Sequence, residues 1–215
     1  MTTNLSSPPA DTQFWDRIAP KYAGKPIKDV PAYRAMLDCV LQSLRPSDRV
    51  LELGCGTGGT ALLLAQAVEH ITATDVSGEM IRIARSKLGQ NAPDNIEFRQ
   101  ADAAEMIAPE AFDAIFATSL LHLVSDVPLV LEQAFEQLKP GGLLITKTVC
   151  LKHMNPMIRA MVTILSLLGF APRVTKLSLA DLEAEFDRAE FVIEQVEYFG
   201  KNRFNPFIIA RRSLV

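Results

Sequence analysis

The sequence feature that most constrains the fold of this chain is a glycine-rich loop between an apolar segment and a helical one. Four of the six residues 54–59 are glycines, and they follow the apolar run 49–53 and precede a helical pattern over residues 60–68. Glycine in such a loop permits a tight turn and lets a ligand approach the backbone without meeting a Cβ atom. The order of strand, loop and helix therefore predicts a βαβ unit whose turn binds a ligand.

Strands and helices alternate beyond this loop. Further strands are predicted at 71–74, 96–100, 112–117 and 143–149, with helices at 77–88 and 127–138 and a turn at 139–142. Strands separated by helices imply parallel pairing, whereas the last two predicted strands, 191–199 and 206–210, have only a short loop between them. The predicted fold is an α/β, doubly wound, mostly parallel seven-stranded sheet with helices on both faces and a C-terminal antiparallel hairpin.

The domain organisation predicted from the sequence is a short tail followed by one domain. Residues 1–12 are polar with two prolines and are expected to be disordered, and residues 13–215 are expected to form the domain. Residues 13–45 carry two predicted helices. Residues 151–177 follow the fifth strand on the side where strand C-termini open into a ligand crevice, so they are expected to form a cap over the substrate.

Charge and composition exclude several classes of partner. The net charge of −3 argues against a nucleic-acid partner, because phosphate binding needs a dense basic face. Cys39, Cys55 and Cys150 have no metal-ligand spacing, and we expect no metal. Their odd number and the absence of a secretory signal predict a cytoplasmic location. The longest apolar run, 157–170, is interrupted by polar residues, so stable membrane insertion is not expected.

The glycine loop alone fits two cofactors. Its pattern also matches the dinucleotide fingerprint, and Asp75, 21 residues after Gly54, stands where an acid that binds ribose is expected in either case. Glu52 favours S-adenosylmethionine, since an acid here would repel a pyrophosphate but suits a sulfonium and an ammonium. Asp102, which follows the third strand, is placed to accept from an adenine amino group. The C-terminal hairpin also leaves no second βαβ half for a nicotinamide.

Several motifs together resemble the class I S-adenosylmethionine-dependent methyltransferases over residues 14–211. The matching segments are 50–58 for the first motif, 74–80 for the second, Asp102, 112–118 at the fourth strand and 138–142 before the fifth. The opening helix, 14–23, looks like that of small-molecule members, including the quinone-biosynthesis type. The resemblance implies methyl transfer to a small molecule, with S-adenosylmethionine as the cofactor.

The resemblance also implies which residues hold the methionine end of the cofactor. The backbone of Gly54, Gly56 and Thr118 would bind the methionine portion. Glu52 would support the loop from the end of the first strand. Tyr22 would close over this end from the N-terminal helices, which are thus expected to lie over the cofactor site.

The nucleoside end is assigned in the same way. By resemblance, Asp75 would bind the two ribose hydroxyls. Val76 and Met80 would lie on either side of the adenine. Asp102 and the amide of Ala103 would bind the edge of that ring.

Two positions depart from the family pattern. Members often carry two histidines after the fourth strand, but here His122 is followed by Leu123. His122 is a candidate general base, since its ordinary pKa suits proton removal at neutral pH, and the alternative is a structural histidine that bonds the backbone. Glu190 stands where a glycine is expected at a helix C-terminus.

The predicted helix at 157–169 is apolar around most of its girth. Its polar residues Arg159, Thr163 and Ser166 form one narrow stripe. Such a helix must be covered by its own domain, by a partner or by an apolar ligand. The hypothesis is that it caps a pocket for a small, largely apolar acceptor such as a quinol, a phenol or a lipid-like molecule, and a homodimer through residues 156–170 is an alternative. A non-catalytic cofactor-binding protein and a nicotinamide-dependent reductase are the other functions considered.

Overall fold

The computed structural model describes residues 10–89 and 93–214. Within them, seven strands form one sheet in the order β3-β2-β1-β4-β5-β7-β6. The strands are β1 Arg49–Leu53, β2 His70–Asp75, β3 Ile96–Gln100, β4 Phe112–Thr118, β5 Leu138–Lys147, β6 Phe191–Glu197 and β7 Phe207–Arg212. The helices are α1 Ala10–Ala23, α2 Val30–Ser43, α3 Gly59–Leu64, α4 Gly78–Ser86, α5 Val127–Gln137, α6 Pro156–Leu167 and α7 Leu179–Arg188, with a 3-10 turn at Leu151–His153.

The pairing of the strands confirms the predicted fold class. Strands β1 to β5 pair in parallel, and β7 pairs antiparallel with both β5 and β6. After β3 the chain crosses to the other side of β1 and forms β4, so the strand order reverses between the neighbouring strands β1 and β4. In open α/β sheets, ligands bind outside the carboxyl ends of the strands at such a switch point. This topology places the glycine loop after β1 and Thr118 at the end of β4 on the same edge.

Side chains alternate across the sheet and build a hydrophobic core on each face. Leu51, Leu53 and Ile115 belong to the core that α5 and α7 cover, whereas Val50 and Phe116 belong to the core beneath α2, α3 and α4. All five side chains are almost fully buried. Burial of each such side chain stabilises the fold by about 1.5–3 kcal/mol relative to an exposed one. The two cores therefore stabilise the sheet whose edge carries the site.

Three predicted boundaries are wrong, and the first is the end of α3, which lies at Leu64 instead of Val68. Helix α1 begins at Ala10, and Thr12 is buried, so the predicted disordered tail ends too late, while residues 1–9 lie outside the described part of the chain. Residues 139–142 form an irregular bulge within β5 instead of a turn before it. Phe112 pairs with Leu138 and Ala114 with Leu143, so these four residues lie opposite Asp113 alone. Pairing on both sides of the bulge extends the strand to Leu138.

The segment between β5 and α7 contains an exposed helix. Asn155 caps the N-terminus of α6, and none of the residues of α6 is buried. Ser178 and Asp181 form the predicted capping box at the start of α7. No helix in the described part of the chain is long and apolar enough to cross a membrane.

Candidate active site

A cavity of about 360 Å³ lies at the carboxyl edge of the sheet. Its wall is built by the residues that directly follow β1, β2, β3 and β4, together with α1 and the start of α5. Nine of the ten residues expected to bind the cofactor line it: Tyr22, Gly54, Gly56, Asp75, Val76, Met80, Asp102, Ala103 and Thr118. The tenth, Glu52, does not. The structure therefore brings together residues that are spread over nearly 100 positions of the sequence.

The glycines of the loop are required by its backbone. Gly54, Gly56 and Gly58 have φ of 67°, 55° and 74°, a region that residues with a Cβ seldom adopt. A Cβ on Gly58 would lie 2.6 Å from the ring of Phe98, and one on Gly54 would lie 2.9 Å from Leu120. The loop thus passes close to its neighbours and leaves its backbone facing the cavity.

Asp75 connects the glycine loop to the start of α4. Its carboxylate accepts one hydrogen bond from the N–H of Gly56, at 2.8 Å, and one from the N–H of Ser77, at 2.9 Å. Burial raises the pKa of Asp75 from its ordinary value, and the two backbone N–H groups oppose this shift. A carboxylate has about four acceptor sites, so Asp75 can accept further hydrogen bonds from a ligand in the cavity.

Asp102 and two apolar residues form the neighbouring part of the wall. Asp102 follows β3, and its Oδ1 accepts a hydrogen bond from the N–H of Ala104 at 2.9 Å. Its side chain is exposed to the cavity, whereas Met80 is buried beneath it in α4. Val76 follows β2 beside them. A flat apolar group with polar edges suits this combination of a methionine, a valine and a carboxylate.

Glu52 lies beneath the cavity instead of in its wall. The residue is 2% exposed, and its Oε2 has no hydrogen-bond partner. Burial and the nearby Asp75 raise the pKa of Glu52 from 4.5 to about 8. Burial therefore favours the protonated carboxyl group, which differs from the charged group expected from the sequence.

Helix α1 covers the cavity from the N-terminal side. Tyr22 lies over the glycine loop, with its Cε1 3.5 Å from the Cβ position of Gly56, and its ring meets that of Trp15 edge to face at 6.4 Å. Burial, followed by the charge of Asp75, raises the pKa of Tyr22. Helix α1 thus lies over the cavity, whereas α2 contributes none of its described residues to the cavity wall.

Asp16 anchors this helix to the rest of the site. It accepts hydrogen bonds from Oγ of Ser77, at 2.6 Å, and from the N–H of Glu79, at 3.1 Å. Sequence reasoning missed Asp16, as well as Trp15 and Thr12 in the cavity wall. The partners of Asp16 lie more than 60 residues away, so no local pattern could have revealed the contact.

The opposite end of the cavity is largely apolar. Leu120, Leu123, Val124, Leu129 and Val130 line it, and Ser119, Ser125 and Asp126 supply its polar groups. Asp126 also caps α5 by accepting from the N–H of Leu129 at 3.0 Å. The charged residues in the described lining are Asp75, Asp102 and Asp126, with no lysine, arginine or histidine among them.

His122 lies outside the described lining of the cavity. Its Nδ1 accepts a hydrogen bond from the N–H of Val149 at 3.5 Å, and its carbonyl accepts one from Thr175 at 2.8 Å. Burial lowers the pKa of His122 from 6.5 to about 4. These contacts match the alternative of a structural histidine that bonds the backbone. His122 is not among the described residues that line the cavity.

The segment 151–177 also contributes none of its described residues to the cavity wall. Residues 119–130 form the apolar wall instead. The structure therefore differs from the expectation that this segment caps the substrate. The physical reason lies in the orientation of α6, whose apolar residues face solvent.

Comparisons with known proteins agree with the fold. Residues 44–201 match the family model described as a methyltransferase domain. The ubiquinone biosynthesis O-methyltransferase of Azorhizobium caulinodans is 29% identical over 220 residues, which span 91% of this chain and 85% of that protein. The ubiquinone/menaquinone biosynthesis C-methyltransferase UbiE of Vibrio campbellii is 35% identical over 117 residues, which span 52% of this chain and 44% of that one.

A solved structure shows the same fold. The S-adenosylmethionine-dependent methyltransferase of Mesorhizobium loti superposes with a TM-score of 0.71 at 21% identity, over 86% of this chain and 99% of that one. At this identity the likeness concerns the fold alone. The family model, by contrast, spans well over half of the sequence. The chain belongs to the methyltransferase-domain family, with the class I fold and S-adenosylmethionine as its cofactor.

Proposed function

We propose that this methyltransferase acts on a small, largely apolar and uncharged acceptor, such as a phenol or a quinol, by direct in-line displacement. The observation that carries the proposal is the lining of the cavity beyond the cofactor-binding residues. That part is formed by aliphatic side chains with two serines and one aspartate, and no cationic residue is found in the described lining.

The residues near the glycine loop suit the cofactor. When bound, S-adenosylmethionine supplies an electrophilic methyl group. The loop offers backbone that no Cβ obstructs, and Asp75 offers a carboxylate for the ribose hydroxyls. Val76 and Met80 offer apolar contact to the adenine, and Asp102 offers an acceptor for its amino group. The backbone of Gly54 and Thr118 would bind the methionine portion, and the amide of Ala103 would bind the edge of the adenine.

The charge of the lining argues against an anionic acceptor. A carboxylate or phosphate at the apolar end of the cavity would lie beside Asp126 and meet no compensating cation in the described lining, whereas Asp75 and Asp102 are assigned to the cofactor. Two like charges about 4 Å apart repel by about 1 kcal/mol in water and about 4 kcal/mol near a protein surface. Neutral aromatic hydroxyls avoid this repulsion, and the name of the Azorhizobium caulinodans relative supports the same acceptor class.

The apolar end also suits catalysis by positioning. Leu120, Leu123 and Leu129 can exclude water around an acceptor, and Asp126 can accept a hydrogen bond from its hydroxyl group. Holding two reactants in a reactive arrangement lowers the barrier by several kcal/mol without a covalent intermediate. Because His122 has no contact with the cavity, the proposal assigns it no proton transfer. The proposal retains a cytoplasmic location and, from the net charge of −3, no nucleic-acid partner.

The test compares acceptors that differ only in charge. Methyl-labelled cofactor is supplied with an alkylphenol or a quinol and, in parallel, with the same ring carrying a carboxylate. We expect labelled product from the uncharged ring and at least about tenfold less from the carboxylate. Leu123→Lys should raise the relative turnover of the carboxylate, whereas Leu63→Lys, at an exposed position of α3, should leave the ratio unchanged.

Two outcomes would contradict the proposal. Exclusive methylation of the carboxylated ring would show that charge repulsion does not select the acceptor. Cofactor binding without turnover of any acceptor, in a screen extended to cell extract, would favour a non-catalytic cofactor-binding protein.

A further inference from the structure

Helix α6 is amphipathic, but its two faces are reversed relative to those of an ordinary surface helix. Met157, Met161, Ile164 and Leu168 form one stripe along and just beyond the helix, and each is more than half exposed. The opposite stripe, which includes the polar residues Arg159, Thr163 and Ser166, is only partly exposed and lies towards the protein. Leu167 and Phe170 extend the apolar surface at the C-terminal end, at 82% and 75% exposure.

The charge of this region is also distinct from that of the chain as a whole. Residues 151–180 contain two lysines, two arginines and one histidine but no aspartate or glutamate, although the whole chain has a net charge of −3. Arg173 and Lys176 follow α6 and are exposed, whereas Lys152, which precedes the helix, pairs with Asp181 at 2.8 Å. Arg173 lies beside Leu167 at the C-terminal end of α6, so the exposed apolar surface ends next to a cation.

A groove at the C-terminal end of α6 adds a second, independent feature. It lies between α6 and α1, has a volume of about 270 Å³, and is lined on its two sides by Arg17 and Arg173. Arg17 donates a hydrogen bond to the carbonyl of Gly169 at 2.7 Å, which fixes its guanidinium at the groove. Phe14 and Leu167 supply apolar contact beside it.

We propose that α6 and this groove form a docking surface for a membrane that contains anionic phospholipids. The apolar stripe would lie in the interfacial region of the bilayer, and the flanking cations would face the headgroups. The groove between Arg17 and Arg173 would take a lipid phosphate, because guanidinium groups bind phosphate oxygens strongly. The helix lies on the surface and does not cross it, in keeping with its 12 residues.

The charges favour a membrane over a second copy of the chain. The homodimer predicted from the sequence would bring two apolar stripes together, but it would also bring together two copies of Arg173 and Lys176. Residues 151–180 hold no acid that could pair with these cations across such an interface. An anionic bilayer supplies both the apolar environment and the opposite charge.

The docking surface is attached to the walls of the active-site cavity. Thr175 donates hydrogen bonds to the carbonyls of His122, at 2.8 Å, and of Val124, at 2.7 Å, and Val124 belongs to the apolar wall. Arg17 belongs to α1, the helix that covers the cavity, and donates a hydrogen bond to the carbonyl of Gly169 just after α6. A membrane bound at α6 would thus lie beside a cavity that suits apolar acceptors.

Vesicle flotation with the full chain tests this inference. Vesicles of phosphatidylcholine alone are compared with vesicles of phosphatidylcholine that contain phosphatidylglycerol. We expect binding to the anionic vesicles, weakened by salt, and at least about tenfold weaker binding to the neutral ones. The double variant Met161→Gln/Leu168→Gln should lower binding by at least about tenfold. Arg173→Glu should lower it by at least about fivefold.

Matched controls lie elsewhere on the surface. Val192→Gln removes an exposed apolar side chain from β6, and Lys201→Glu reverses an exposed charge, and both should retain vesicle binding. Calorimetric binding of S-adenosylhomocysteine by each variant reports whether it is folded. Flotation requires no turnover, so its result is separate from that of the acceptor experiment.

Three results would overturn the inference. The first is the absence of wild-type binding to the anionic vesicles. The second is unchanged binding by the double variant while its affinity for S-adenosylhomocysteine is intact. The third is a homodimer in solution, measured by light scattering, that the same double variant dissociates, since a second copy would then cover the face.

Discussion

Asp16 of α1 accepts a 2.6 Å hydrogen bond from the hydroxyl of Ser77, the fully buried N-cap of α4. The same carboxylate oxygen accepts from the N–H of Glu79. The hydroxyl of Ser77 also accepts from the N–H of Met80, a residue of the cavity wall. One carboxylate therefore holds the helix that covers the site onto the N-terminus of the helix that forms its floor, where a negative charge is favourable.

The contact predicts that loss of Asp16 weakens both stability and cofactor binding. Asp16→Ala should lower the free energy of unfolding by about 1–3 kcal/mol, because two donors lose a charged acceptor. It should also weaken binding of S-adenosylhomocysteine, measured by calorimetry, since α1 carries Tyr22 and Trp15. Asp29→Ala removes the N-cap of α2 and is the matched control, with lower stability but unchanged affinity. Equal affinities for the two variants would contradict this role.

Asp75 is expected to contribute most to cofactor affinity through its charge. Asp75→Asn should raise the dissociation constant of S-adenosylhomocysteine by roughly ten- to a hundredfold, since a charge-assisted hydrogen bond contributes about 1.5–3 kcal/mol. Asp113→Asn, at the opposite edge of the sheet, removes a carboxylate that pairs with Lys139 and should leave the affinity unchanged. An unchanged dissociation constant in the Asp75 variant would rule out the ribose contact.

His122 is expected to affect stability in acid instead of turnover. Its pKa is lowered from 6.5 to about 4, so the unfolded chain takes up a proton before the folded one does. The stability associated with the neutral imidazole is present above pH 6.5 and is lost as the pH falls towards 4, by up to about 3 kcal/mol. Urea unfolding of His122→Gln should lack this part of the pH dependence. Its turnover should change by less than tenfold, and complete loss of activity with intact cofactor affinity would mean that the histidine acts in catalysis.

Glu52 should show the opposite dependence on pH. Its pKa is raised from 4.5 to about 8, so the folded chain keeps a proton that the unfolded chain releases. The stability associated with the protonated carboxyl group is complete below pH 4.5 and is lost as the pH rises to 8. Glu52→Gln should therefore be more stable than the wild type at pH 8, by a few kcal/mol, and similar at pH 4. Glu97→Gln, an exposed residue of β3, should change neither value, and a similar response of both variants would contradict the burial argument.

Glu190 follows Ala189, the C-cap of α7, in a backbone conformation that favours glycine. Its φ is 60°, which costs about 1–2 kcal/mol for a residue with a Cβ. Glu190→Gly should raise the free energy of unfolding by about 0.5–1 kcal/mol, since part of this gain is offset by the freedom of glycine in the unfolded chain. Glu183→Gly, in the exposed interior of the same helix, should lower it by about 1 kcal/mol. Urea denaturation measures both, and destabilisation by each would show that position 190 carries no strain.

Local patterns in the sequence were sufficient for the elements and for most of the site. The glycines of 54–59 predicted the loop because their conformations are nearly closed to other residues. Ser77 and the pair Ser178 and Asp181 predicted helix starts, since a cap bonds backbone only two or three residues away. Nine of the ten residues assigned by motif line one cavity, because parallel strands bring their carboxyl ends to a single edge.

Contacts between distant segments were decided only by the tertiary structure. The pairing of β4 with β5 on both sides of residues 139–142 turned a predicted turn into a bulge. The carboxylate of Asp16 accepts hydrogen bonds from Ser77 and Glu79, which lie more than 60 residues away in the sequence. The periodicity of α6 defined an apolar and a polar stripe but not which of them faces the protein. Periodicity is a property of one helix, whereas its orientation depends on what the rest of the chain packs against it.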